Sequence, residues 1–89
     1  MAVNHICTST GFECDIDSEV LNDFEMLDLV TEADNGDIMA LNKLINKMLG
    51  KEKDRLCDHL RNDAGRVPID AMSKEIEEIF GALNKEAKN

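Results

Sequence analysis

The pairs His5-x-Cys7 and Cys57-x-His59 carry side chains that ligate zinc, and two such pairs would supply all four ligands of a closed site. Cys57 and His59 lie two positions apart in a segment patterned as a helix, however, which sends them to different sides. A buried Cys57 and an exposed His59 are therefore expected, with no metal. The stretch "EADNGD" has the flavour of a calcium loop, yet placing Gly36 at the sixth position puts Thr31 first and Asn42 twelfth. An EF-hand needs Asp and a bidentate Glu at those places, so "EADNGD" reads as a tight turn between helices. Catalysis would call for a nucleophile beside a base, or a loop that cradles phosphate, and neither pattern is legible. The chain is read as a non-enzyme without catalytic residues or cofactor.

Charge is the strongest global signal. Of the 89 residues, 19 are acidic and 10 basic, a net charge of −9. The imbalance is concentrated: residues 1–42 hold ten Asp and Glu and no Lys or Arg, whereas residues 43–89 hold nine acids and ten bases. Such a surface repels phosphate and anionic lipid and favours a basic partner. No run approaches the roughly 18 apolar residues of a membrane span, and the N-terminus lacks a basic start followed by an apolar stretch. A cytoplasmic location is expected. Three cysteines without CxxC spacing point to free thiols and not to a disulfide framework.

The elements that must position these residues follow from periodicity. In "GFECDID", Phe12, Cys14 and Ile16 alternate with Glu13, Asp15 and Asp17, the period of a half-buried strand, and Val3 to Thr8 offers the pairing strand through "TSTG". Helix one is expected from a cap at Asp17 or Ser18 to about Asp34, with an apolar face of Val20, Leu21, Phe24, Leu27 and Val30. Asp37 caps helix two, whose face is Ile38, Leu41, Leu44, Ile45, Met48 and Leu49, and Gly50 stops it. A short third helix spans about Lys51 to Arg61, and "RNDAGR" forms a turn. Pro68 fits the first turn of helix four, with Met72, Ile76, Ile79, Phe80 and Leu83 inward and Lys74, Glu75, Glu77 and Glu78 toward water. Those acids also argue against using this helix to read DNA. Met26, Met39, Met48 and Met72 flank the apolar faces, as core filler or as adaptable contact surface. The fold class is mainly α: one domain, 1–89, with an N-terminal β element (1–17), a bundle of three to four helices (18–84) and a frayed tail (85–89).

Taken together, "GFECDIDSEVLNDFEMLDLVTEADNGD", "LNKLINKMLG" and "HLRNDAGRVPIDAMSKEIEEIF" resemble a small tail assembly chaperone of long-tailed, siphovirus-type bacteriophages or prophages of Gram-positive bacteria. The resemblance covers about Gly11 to Leu83 and rests on order and character: an acidic strand leading into a helix, a helix ending Met48-Leu49-Gly50, and a Gly-Arg-Val turn before the last helix. It implies a non-catalytic protein of the host cytoplasm, absent from the mature virion, that binds the tape measure protein and helps the major tail protein polymerise around it. It also implies a longer product made by ribosomal slippage near Lys88-Asn89. Nucleic acid and membrane are not expected partners, and self-association stays open. A client would meet Phe24 and Leu27, with Glu25 and Asp28 pairing with its bases; the alternative is that Phe24 and Leu27 are buried inside this domain. Two other functions fit the same composition, a small acidic inhibitor or nucleic-acid mimic and a minor virion structural protein.

Overall fold

The computed structural model describes residues 3–87. Its order is β1 (Val3–Cys7), β2 (Glu13–Asp17), a 3-10 turn (Ser18–Leu21), α1 (Phe24–Asp34), α2 (Ile38–Leu49), α3 (Glu52–Leu60) and α4 (Ile69–Ala87). The chain is thus mainly α with a short antiparallel N-terminal hairpin, as its periodicity predicts.

The hairpin pairs His5 with Asp15 and Ile6 with Cys14. Period two then places Ile6, Phe12, Cys14 and Ile16 on the inner face, each at most 5% exposed. The connection "TSTG" closes through Thr8 N–H to Phe12 C=O (2.8 Å) and Gly11 N–H to Thr8 C=O (3.0 Å), and Gly11 takes the left-handed conformation at φ 90°. The hairpin packs against α4 and, through Phe12, against α3, and its inner face shares one core with Leu44, Met48, Leu56, Ile76, Ile79 and Leu83. Leu56 is fully buried, so the short and mostly polar α3 is held by packing more than by propensity.

Helix boundaries follow cap chemistry. Asp37 accepts from Met39 N–H (3.0 Å) and Ala40 N–H (3.2 Å) at the start of α2, and Gly50 ends it at φ 55°. In the turn before α4, Asn62 accepts from Ala64 N–H and Arg66 N–H, both at 3.0 Å. Pro68 stands one residue before α4, and its carbonyl accepts from Met72 N–H at 3.1 Å. The helix runs through Ala87, beyond the boundary expected at residue 84. Lys88-Asn89, where slippage is expected, lies outside the described residues.

Two expectations are corrected. Helix one is not continuous: Asp17 caps only the 3-10 turn, by accepting from Glu19 N–H at 2.9 Å, and Asp23 caps a fresh start by accepting from Glu25 N–H at 2.9 Å. Asn22 and Asp23 bond better at a cap than inside a helix, so the chain breaks there. The restart sets a different inward face, with Met26 buried and Leu29, Val30 and Ala33 half-buried against the core. Glu75, expected in water, is 1% exposed. It lies three residues after Met72 and four before Ile79, and so shares the arc of the apolar face.

Candidate partner-binding surface

The outer face of α1 carries the residues singled out in the sequence. Phe24 is 77% and Leu27 60% exposed, and Glu25 and Asp28 beside them are exposed too. Burial inside the domain, the alternative for Phe24 and Leu27, is not what the fold does with them. Among the described residues, Lys47 of α2 is the base that reaches this end of the helix: its Nζ lies 3.0 Å from Asp23 Oδ2 and 3.7 Å from Glu25 Oε1. The hydrogen bond from Lys47 holds the Asp23 carboxyl below its usual value, and its partner's carboxylate raises Lys47. Asp28 makes no ion pair among the described residues.

Phe24, Leu27, Val30 and Ala33 follow at steps of three, a line that slants around α1 because three residues fall short of a turn. Its lower end enters a groove of about 610 Å³ between α1, α2 and α4, walled by Val30 and Ala33, by Ile38 and Leu41, and by Phe80. Among the described residues the charged side chains lining it are Asp34 and Glu77, both acidic. Ile38 and Leu41 form the ridge to a smaller recess of about 180 Å³ that reaches Val67 and Ile69. Ile38 and Ile69 are more than half exposed, and so is Met39, whereas Met26, Met48 and Met72 are core filler. Periodicity alone did not disclose the groove, which arises from how three helices meet. A trace was present in Ile38 and Met39 at the exposed start of α2 and in Gly81 inside α4.

The residues considered for chemistry are occupied otherwise. His5 sits on the open face of the hairpin with Nδ1 2.8 Å from Asp15 Oδ1 and Nε2 2.9 Å from Glu13 Oε1. Asp15 first, then Glu13, raises its pKa above 6.5. Cys14 is buried, and desolvation pushes its thiol up to about 11, away from nucleophilic use. Cys57 is half-buried where full burial was expected, while His59 is exposed and stacks obliquely on Phe12 at 5.5 Å between ring centres. Among the described residues no three His, Cys, Asp or Glu side chains gather to hold a metal. "EADNGD" forms the expected turn, with Gly36 at φ 97° and Asp37 spent as a helix cap.

A second polar cluster ties the hairpin to α4. Buried Glu75 accepts from the hydroxyls of Thr8 (3.2 Å) and Thr10, while Oε2 of the same carboxyl has no hydrogen-bond partner. His59 Nε2 lies 3.0 Å from Thr10 Oγ1. Glu78 takes the backbone N–H and hydroxyl of Ser9 at 2.9 and 2.8 Å. These contacts fix the loop "TSTG" to the helix and account for the acids there structurally. Comparison with protein-family models, with curated proteins and with solved structures gave no match for this chain.

Proposed function

We propose that this chain is a non-catalytic tail assembly chaperone of a siphovirus-type phage or prophage, binding the tape measure protein through the outer face of α1 and so assisting tail tube polymerisation. One observation carries the proposal: Phe24 and Leu27, large apolar residues one turn apart, are exposed on a helix that also displays Glu25 and Asp28. A free apolar patch on a small domain is a liability unless a partner covers it, and surrounding acid limits self-association in the meantime. The sequence resemblance supplies the partner's identity. Among the described residues no helix is long and apolar enough to cross a membrane, which agrees with a role in the host cytoplasm.

Co-expression tests the proposal. The tape measure protein should be recovered in the soluble fraction with this chain and aggregate without it. The double variant Glu25→Lys/Asp28→Lys should lose that effect. At Glu25 it gives up the 3.7 Å ion pair with Lys47 and a favourable first-turn charge, both weak because they are exposed, so the fold should persist with a melting temperature lowered by several degrees at most. If the variant folds and protects the client equally at low and high salt, the outer face of α1 is not the binding surface. Recovery of this chain in purified particles would instead make it a virion component.

A further inference from the structure

We infer that the groove between α1, α2 and α4 is a docking site for a basic amphipathic helix of a partner protein. It is a surface separate from the outer face of α1, and it holds whichever protein supplies the helix.

The walls decide the secondary structure of the occupant. Apart from Gly36 in the α1–α2 turn, the described lining residues belong to three helices, and none of them lies on a strand that could pair with a guest. A docked segment must therefore satisfy its own backbone hydrogen bonds, and a helix does so. Val30, Ala33, Ile38, Leu41 and Phe80 form an apolar bed suited to residues spaced i, i+3, i+4 and i+7.

Charge decides the sign. Among the described residues the charged side chains of the lining are Asp34 on α1 and Glu77 on α4, so cationic side chains flanking the apolar face of the guest would find counter-charges there. The same acids argue against a second copy of this chain. A two-fold interface sets one patch against itself, so Asp34 and Glu77 would meet like charge, in a molecule of net charge −9.

Gly81 decides how closely the guest approaches. It lies inside the 19-residue α4, where glycine weakens a helix, and it is not among the glycines that need a positive φ. A Cβ built there meets nothing within 4 Å, so internal packing does not demand a glycine either. Its place in the groove lining gives a reason, since a bare backbone lets a second helix approach closely.

The probe is a synthetic leucine–lysine peptide about four turns long, with leucine at i, i+3, i+4 and i+7, and its control replaces every lysine by glutamate. Titrated into the full chain, the lysine peptide should shift the amide resonances of Val30, Ala33, Leu41 and Phe80, and the glutamate peptide should not bind. Gly81→Leu fills the groove from the floor and improves helix propensity. It should weaken the lysine peptide by about tenfold or more with an unchanged or higher melting temperature. Asp34→Lys/Glu77→Lys should exchange the preference between the peptides and serves should Gly81→Leu misfold. Equal binding by Gly81→Leu, or shifts confined to Phe24 to Asp28, would overturn the assignment. So would a dimer in sedimentation that Gly81→Leu abolishes, since the occupant would then be a second copy. No tape measure protein enters the experiment, so its outcome and that of the co-expression test are judged separately.

Discussion

At the scale of single residues, two side chains carry tests of the electrostatics. His5 bridges Asp15 and Glu13 across the hairpin, and both carboxylates favour its protonated form. A folded pKa above the unfolded 6.5 means that the contribution to stability is complete below pH 6.5 and is lost as pH rises through the folded value. Imidazole resonances should titrate with a midpoint above 6.5 in the native chain, and Asp15→Asn should lower it more than Glu13→Gln, since Asp15 is the larger cause. A midpoint at or below 6.5 would mean the bridge does not form in solution. The second side chain is Glu75, a carboxyl in the core with one oxygen bonded to hydroxyls and the other unpartnered. Glu75→Ala leaves Thr8 and Thr10 without their acceptor and opens a space, so urea unfolding should show a loss of about 1–3 kcal/mol. Glu75→Gln keeps the shape and an acceptor oxygen for the two hydroxyls and should stay within about 1 kcal/mol of the parent chain. If alanine proves as stable as glutamine there, the cluster does not anchor the hairpin.

At the scale of elements, patterns that rest on one strong local signal were legible, and those depending on phase or on several elements were not. The hairpin could be read from the alternation of Phe12 to Asp17, and α2 from Asp37, its apolar stripe and Gly50, because each pairs a period with a terminal signal. Helix one was misread because Asp17 and Asp23 are equally good caps and Val20, Leu21 and Phe24 bridge the break at helical spacing. That error hid the inward turn of Met26 and Leu29 on α1, although Phe24, Glu25, Leu27 and Asp28 remained the residues to examine. Buried Glu75 was missed because charge was weighed over its place on the stripe of α4. The caps differ in consequence. Asp37→Ala removes a side chain that satisfies two N–H groups and should cost about 1 kcal/mol in urea unfolding. The α1 helix buries Met26 alone completely, against five residues in α2, so its amides should exchange fastest of the two in native-state hydrogen exchange. Equal protection would show that the two helices open as one unit.

At the scale of the whole molecule, the acid and the exposed apolar surface belong to one balance. Phe24, Leu27, Ile38, Met39 and Ile69 are all more than half exposed on a chain of only 89 residues, which by itself favours association. Against that stands a net charge of −9, with every Lys and Arg at or after Lys43. Mutual repulsion between molecules should keep the chain monomeric at pH 7 and fade as the solution approaches the sequence pI near 4.5. Light scattering on a descending pH series should therefore report association near pH 4.5. Asp23 adds a local term of the same direction. Its folded pKa is lowered below 3.8 by Lys47, so the stability it lends is present above 3.8 and is lost only as pH falls through the folded value, and this contact is still made near pH 4.5. Circular dichroism on the same samples separates association of the native surface from association through unfolding, since helix content persists only in the first case. The double variant Phe24→Ser/Leu27→Ser removes apolar contact area from solvent-facing positions at little cost in stability, and it should stay monomeric further toward the pI than the parent chain. Should both chains associate at the same pH, the outer face of α1 is not the adhesive surface, and the groove at Ile38 and Leu41 becomes the place to introduce the next polar substitution. Should neither associate, the acid has some purpose other than holding an exposed apolar face apart from its copies.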